Sequence, residues 1–281
     1  MKNGVAIWHY PHRNLIENIE HFARCGYDSV SVHGNHMYAA IIDPLLAGKL
    51  ARTIQETKVV LTVHSALPSD HTREAVSEFN KRIRAFGDWQ REYGLIAILS
   101  FDVLNKIRDN VTEYIQYAID NVPSCAIAVE DFGLTPWEKT QLEPFRGCER
   151  FGYLVDVGHM ALRIYGNNSS GLTLFTNSPL ECARSSSPDY EDYLRAFKSK
   201  DFPIFEIHLH QNDGTEDIHQ FLEDGAVDMP AIARVLKEIE FEGIVTLECA
   251  PGYRFECKYP ESDRKIQESF DLWQSLLNLN Q

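Results

Sequence analysis

Residues 59–101, VVLTVHSALPSDHTREAVSEFNKRIRAFGDWQREYGLIAILSF, read as a strand, a helix and a second strand. The segments starting at Val59 and Leu95 are short apolar runs rich in β-branched side chains. Between them, TREAVSEFNKRIRAFGDWQREYG (72–94) places apolar residues at three- and four-residue steps and closes on a glycine stop. A strand, a helical crossover and a strand form the repeating unit of a parallel sheet.

The unit recurs in both directions. Strands are predicted to begin near Val5, Val30, Val59, Leu95, Ala126, Phe151, Pro203 and Ile244, at spacings of 25, 29, 36, 31, 25, 52 and 41 residues. Helical patterns fill the gaps: LIENIEHFARCG (15–26) ends in glycine, and MPAIARVLKEIEFEG (229–243) has an early proline and a closing glycine. Eight such units in 281 residues predict an α/β chain folded as a closed (β/α)8 TIM barrel, one domain spanning residues 1–281. The 52-residue spacing holds a long polar stretch, and the segment from Ile164 to Asp201 is expected to cover the barrel mouth.

Composition narrows the function classes. With 27 basic and 41 acidic side chains the net charge is −14, which disfavours a broad electrostatic grip on nucleic acid. No apolar run approaches the ~20 residues of a membrane span. The start, MKNGVAIWHYPHR, has neither a long apolar stretch nor a small-residue cleavage site. The six cysteines form no CxxC pair, in keeping with reduced thiols and a cytoplasmic location.

Polar residues recur at the strand ends with a period of two. In a barrel alternate side chains point inward, and chemistry gathers at the carboxyl ends. By that parity Glu130 faces inward in AIAVEDF (126–132), as does Asp156 in GYLVDVGHM (152–160), with His159 in the turn just beyond. Glu206, His208 and His210 share a face in FEIHLHQND (205–213), Thr246 and Glu248 in VTLECAPG (245–252), and Thr62 and His64 in VVLTVHSA (59–66). A single acid ending a strand is as readily a turn former, and a single inward histidine is more often a hydrogen-bonded core residue. Several carboxylates facing one cavity, however, repel one another and are costly to desolvate without a cation. Glu130, Asp156, His208 and Glu248 would supply three carboxylates and one imidazole, a donor set suited to Mn, Mg, Co or Zn.

The segments VEDFG (129–133), VDVGHM (155–160), HLHQNDGTEDIHQFLEDGAVD (208–228) and VTLECAPG (245–252), in that order, resemble the xylose isomerase-like barrel superfamily, which includes sugar phosphate isomerase/epimerase-like proteins and endonuclease IV. The resemblance covers essentially the whole chain. It implies one divalent ion among Glu130, Asp156, His208 and Glu248, with His159 touching substrate or a second ion. His64, His210 and His219 become candidates to orient substrate hydroxyls, and His159, Asp217 and His219 could hold a second ion.

Two departures stand out. Endonuclease IV proteins carry a histidine at the end of the fourth strand, where this chain has Ser100, Phe101 and Asp102; ketose 3-epimerases usually carry an arginine where it has Gly214. The reading that follows is a metal-dependent isomerase or epimerase of a small sugar- or polyol-derived carbonyl compound. It would work through an enediolate, with Glu130 and Glu248 transferring the proton. The alternatives are an endonuclease IV-like phosphoesterase and a keto-inositol (inosose) dehydratase. A homo-oligomer is left open.

Overall fold

Caps and glycines set where the crossover helices begin and end. Asn14 and Glu17 form a reciprocal capping box at the start of α1 (Leu15–Arg24). Asp43 caps α3 (Pro44–Thr57), which follows α2 (Gly34–Ile41), and Thr72 caps α4 (Arg73–Tyr93). The last of these stops at Gly94, whose φ of 65° supplies the left-handed turn read from the sequence. Then come α5 (Val111–Asn121), α6 (Pro136–Leu142), α7 (Val157–Tyr165), α8 (Met229–Glu238, capped by Asp228) and α9 (Glu261–Asn278).

The computed structural model describes residues 1–8, 10, 12–103, 110–132, 136–165, 194, 202–214, 216–223, 225–251 and 259–278. Eight strands alternate with these helices: β1 (Lys2–Ala6), β2 (Ser29–His33), β3 (Val60–Ala66), β4 (Ala97–Asp102), β5 (Cys125–Glu130), β6 (Phe151–Asp156), β7 (Ile204–Leu209) and β8 (Ile244–Leu247). They pair in parallel and in sequence order, and β8 returns to β1, closing a (β/α)8 barrel as the sequence predicts. The first strand starts at Lys2, ahead of its apolar run, because Lys2, Asn3 and Gly4 pair with Ile244, Val245 and Thr246 to complete the closure. Apart from residues 164, 165 and 194, the segment expected to cover the mouth lies outside the described residues.

Alternate side chains of the strands pack outward against the helices, forming a continuous apolar layer that includes Val30, Val32, Leu61, Val63, Ile127, Val129, Ile207 and Val245. The inward positions are more polar. Ser31, Thr62, His64, Ser100, Glu206, His208 and Thr246 are all buried. The register sets Asp156 beside His208, His208 beside Thr246, and His64 beside Ser100. Polar side chains from separate crossovers thus meet inside one barrel.

Candidate metal centre

Four consecutive strand ends, β5 to β8, carry Glu130, Asp156, His208 and Glu248. Glu130, Asp156 and His208 each offer a donor atom within 4.8 Å of the others. His208 Nδ1 lies 2.8 Å from Glu248 Oε2 and 3.9 Å from Asp156 Oδ2. All four residues are buried, and Glu130 Oε2, Asp156 Oδ2, His208 Nδ1 and Glu248 Oε2 each lack an aligned hydrogen-bond partner. Buried polar atoms are rarely left so, and each one costs roughly 1–3 kcal/mol. Glu130, Asp156 and His208 make one group of candidate donors, and Glu248, which meets it at His208, makes another with His210 and His219.

The other polar groups brace these four. Asp156 Oδ1 accepts the His159 backbone N–H at 2.9 Å and faces His210 Nε2 at 3.1 Å. That backbone bond is helix capping: α7 begins directly after Asp156, so His159 sits on its first helical turn rather than in a connecting turn as expected. Asp131, in the left-handed region at φ 45°, turns back so that Oδ2 lies 3.1 Å from His159 Nδ1 while Oδ1 accepts the Asp156 N–H. His159 Nε2 lies 3.4 Å from Asp217 Oδ2, the oxygen that also meets His219 Nε2 at 3.0 Å. His219 Nδ1 donates to the Glu248 carbonyl, and its ring stacks on His210 at 4.0 Å between centroids. Both nitrogens of His210 therefore face protein acceptors, Asp156 and the Gln211 carbonyl.

Across the mouth, His64 bonds to Ser100 Oγ through Nδ1, and its Nε2 lies 3.2 Å from Asp102 and 3.7 Å from Glu130. Trp8 stacks on His64 at 5.9 Å and meets His33 edge-on at 6.2 Å. Asp102 and Asp131 escaped the sequence reading as site residues. The signal for Asp102 was available, since it alternates with Ser100 on an inward face. For Asp131 none was, because its position depends on a positive φ.

Burial works against every charge here, and neighbours decide the balance. Burial together with Asp102 and Asp156 holds the Glu130 carboxyl well above its ordinary range. Burial would raise Glu248 too, but His208 and His219 outweigh it and lower its pKa. Against the same penalty His159 and His210 hold Asp156 low, while Glu248 and Glu206 hold the His208 imidazole high. Burial also disfavours the His219 cation, yet Asp217 and Glu248 lift its pKa to about 9.

Without a bound cation, imidazolium groups must neutralise the carboxylates, and this fixes a pH dependence. An unfolded histidine loses its proton near 6.5. His219 in the fold holds its proton to about 9, so its stabilising charge is complete below pH ~6.5 and is lost as pH rises through ~9. The Tm of chelator-treated protein should fall across that interval, and His219→Asn should flatten the fall. A Tm that stays level between these pH values would contradict the arrangement.

Gly158 has a packing role of its own. A Cβ there would lie 2.0 Å from the ring of His210, whose two nitrogens are held by hydrogen-bonding partners. Gly158→Ala should lower stability by about 1–3 kcal/mol, read from chemical denaturation. A change within error would show that the ring can move aside freely.

The chain belongs to the xylose isomerase-like TIM barrel family, whose model matches residues 19–276. It is 21% identical over 161 residues to an uncharacterized protein of Methanocaldococcus jannaschii, a match covering 57% of this chain and 46% of that protein. Among solved structures it resembles a D-tagatose 3-epimerase-like protein (TM-score 0.67, 16% identity, 99% of this chain and 98% of the other). It also resembles the D-allulose 3-epimerase from Methylomonas sp. (TM-score 0.65, 14% identity, 99% and 98%). Among the described residues no helix is long and apolar enough to cross a membrane.

Proposed function

We propose that this chain is a divalent-metal-dependent isomerase or epimerase of a small sugar- or polyol-derived carbonyl compound, reacting through an enediolate. The observation that carries the reading is the convergence of Glu130, Asp156 and His208, each offering a buried donor atom without an aligned hydrogen bond, with Glu248 beside His208 at 2.8 Å, at the carboxyl end of a barrel. These residues would hold the ion, with Mn, Zn, Co and Mg all compatible with three carboxylates and an imidazole. When bound, such an ion supplies Lewis acidity toward a carbonyl oxygen and its neighbouring hydroxyl.

The chain's own groups do the rest. Glu130 and Glu248 end the first and last strands of the β5–β8 arc, so they flank Asp156 and His208. One carboxylate takes the proton next to the carbonyl and the other returns it, which permits delivery from the opposite face. His64 and His159, buried at the edges of the cluster, orient substrate hydroxyls; His210 holds Asp156, and His219 holds Asp217 beside them. The sugar epimerases among the structural neighbours are in keeping with this chemistry. Gly214, where an arginine is usual in ketose 3-epimerases, has a φ of 79° and donates its N–H to Asn212 Oδ1, so an arginine there would be strained. This favours a substrate other than a simple free ketose.

A second reading, the endonuclease IV-like phosphoesterase, draws on a specific observation. His64, Asp102 and Glu130 form another group of candidate donors, and Glu130, Asp131 and His159 a further one. Asp102 lies in the fourth-strand stretch where endonuclease IV proteins carry a histidine, and its carboxylate could itself bind a cation. Metal counting by mass spectrometry on purified protein separates the two readings: one ion per chain supports isomerisation, and three support phosphoester chemistry.

A further inference from the structure

Below the candidate metal centre lies a carboxylate that the proposed reaction does not use. Glu206 is two residues before His208 on β7, on the same inward face and one layer deeper in the barrel. It is fully buried. Its Oε1 accepts from Thr246 Oγ1 at 2.5 Å and from Thr62 Oγ1 at 3.1 Å, and lies 3.5 Å from His208 Nε2. Its Oε2 is buried without a partner. Among the described residues, the only ion pair of Glu206 is with His208.

The surroundings are built to admit this group. Thr62 comes from β3 and Thr246 from β8, so donors reach one oxygen from both sides of the barrel. The space for Thr246 depends on Gly4 of β1, where a Cβ would lie 2.7 Å from Thr246 Oγ1. An apolar side chain at position 206 would fill the barrel without any of these arrangements. A buried carboxylate, by contrast, is a poor source of stability, because its desolvation offsets what its hydrogen bonds contribute.

What Glu206 does offer is direction. A neutral imidazole carries one proton, and the nitrogen that donates leaves the other as a lone pair. His208 Nε2 lies 3.5 Å from Glu206 Oε1 without an aligned hydrogen bond, while Nδ1 lies 2.8 Å from Glu248 Oε2 and 3.9 Å from Asp156 Oδ2. When a cation takes the Nδ1 lone pair the proton is left on Nε2, where Glu206 Oε1 is the carboxylate oxygen in reach. Carboxylates placed behind metal-binding histidines act in this way.

We propose that Glu206 is a positioning residue that, held by Thr62 and Thr246, fixes the Nε2–H tautomer and ring orientation of His208 and so sets the affinity of the site for a divalent cation. The inference rests on the metal-binding reading above and adds to it a residue outside the ligand set.

The test uses the full chain, stripped with chelator and titrated with Mn2+, comparing wild type, Asp156→Ala, Glu206→Gln and Glu206→Leu. Wild type should bind and Asp156→Ala should not, while both Glu206 variants should bind about 10- to 100-fold more weakly. Their metal-free Tm should stay at or above that of wild type. In the Zn2+-loaded wild type, the His208 imidazole should show its proton on Nε2 in 1H–15N spectra, and that resonance should shift in Glu206→Gln. If the leucine variant does not fold, the nearly isosteric glutamine variant decides the matter. Mn2+ affinity within twofold of wild type in Glu206→Gln, or a His208 proton on Nδ1, overturns the positioning role while leaving the metal reading intact. Wild type that binds neither ion, or Asp156→Ala that binds as wild type does, overturns the metal reading and this inference with it.

Discussion

Glu130→Gln and Glu248→Gln are each expected to abolish exchange of substrate hydrogen with deuterated water, even at metal concentrations that restore full occupancy. The expected loss is about 10²- to 10⁴-fold, the usual contribution of a positioned acid or base. Glutamine keeps the size of glutamate and can still offer its carbonyl oxygen to a cation, but it has no oxygen basic enough to take the proton. The substitution therefore separates proton transfer from ligation. Mass spectrometry or NMR of a small-sugar panel incubated in D2O reads the result directly. Native-rate exchange in both variants would end the two-carboxylate mechanism and move attention to phosphoester substrates. Loss in only one variant would instead describe an enzyme that removes and returns the proton with the same group.

Asp156→Ala is expected to lose most of its bound metal. Asp156 is fully buried, and its two oxygens are divided: Oδ1 takes the His159 N–H and faces His210, while Oδ2 is left unpartnered toward His208. Alanine removes both functions at once. The first turn of α7 would lose its cap, a cost of about 1 kcal/mol, and His210 would lose its carboxylate. Metal analysis after gel filtration, alongside a denaturation curve, distinguishes loss of ion from loss of fold. Full retention of the ion in a folded variant would remove Asp156 from the ligand set.

The larger pattern was legible without coordinates because barrel strands translate sequence into space by a simple rule. A period of two assigns each side chain to the core or to the helices, and the direction of a β/α unit assigns its chemistry to the carboxyl end. That was enough to bring Glu130, Asp156, His208 and Glu248 to one end of one barrel, and the described structure places them there. His64, His159, His210, Asp217 and His219 also gather at that end, but with different neighbours. His210 has both nitrogens directed at protein acceptors, Asp156 of the neighbouring strand and the Gln211 carbonyl, a fact that depends on strand register and local backbone direction. Just beyond it, the Gln211 side chain bonds the Val227 backbone in both directions.

What the sequence by itself determined is the barrel, its eight strands and the end at which the acidic and imidazole groups collect, since local periodicity and helix punctuation need only near neighbours. What only the tertiary structure decided is which atoms meet. Asp102 reaches His64 across adjacent strands, Asp131 swings behind His159 through a positive φ, and Glu206 joins Thr62 and Thr246 inside the barrel. Those meetings depend on strand register, ring closure and single backbone angles. Each joins residues from separate β/α units, and spacing along the chain carries no record of such distances.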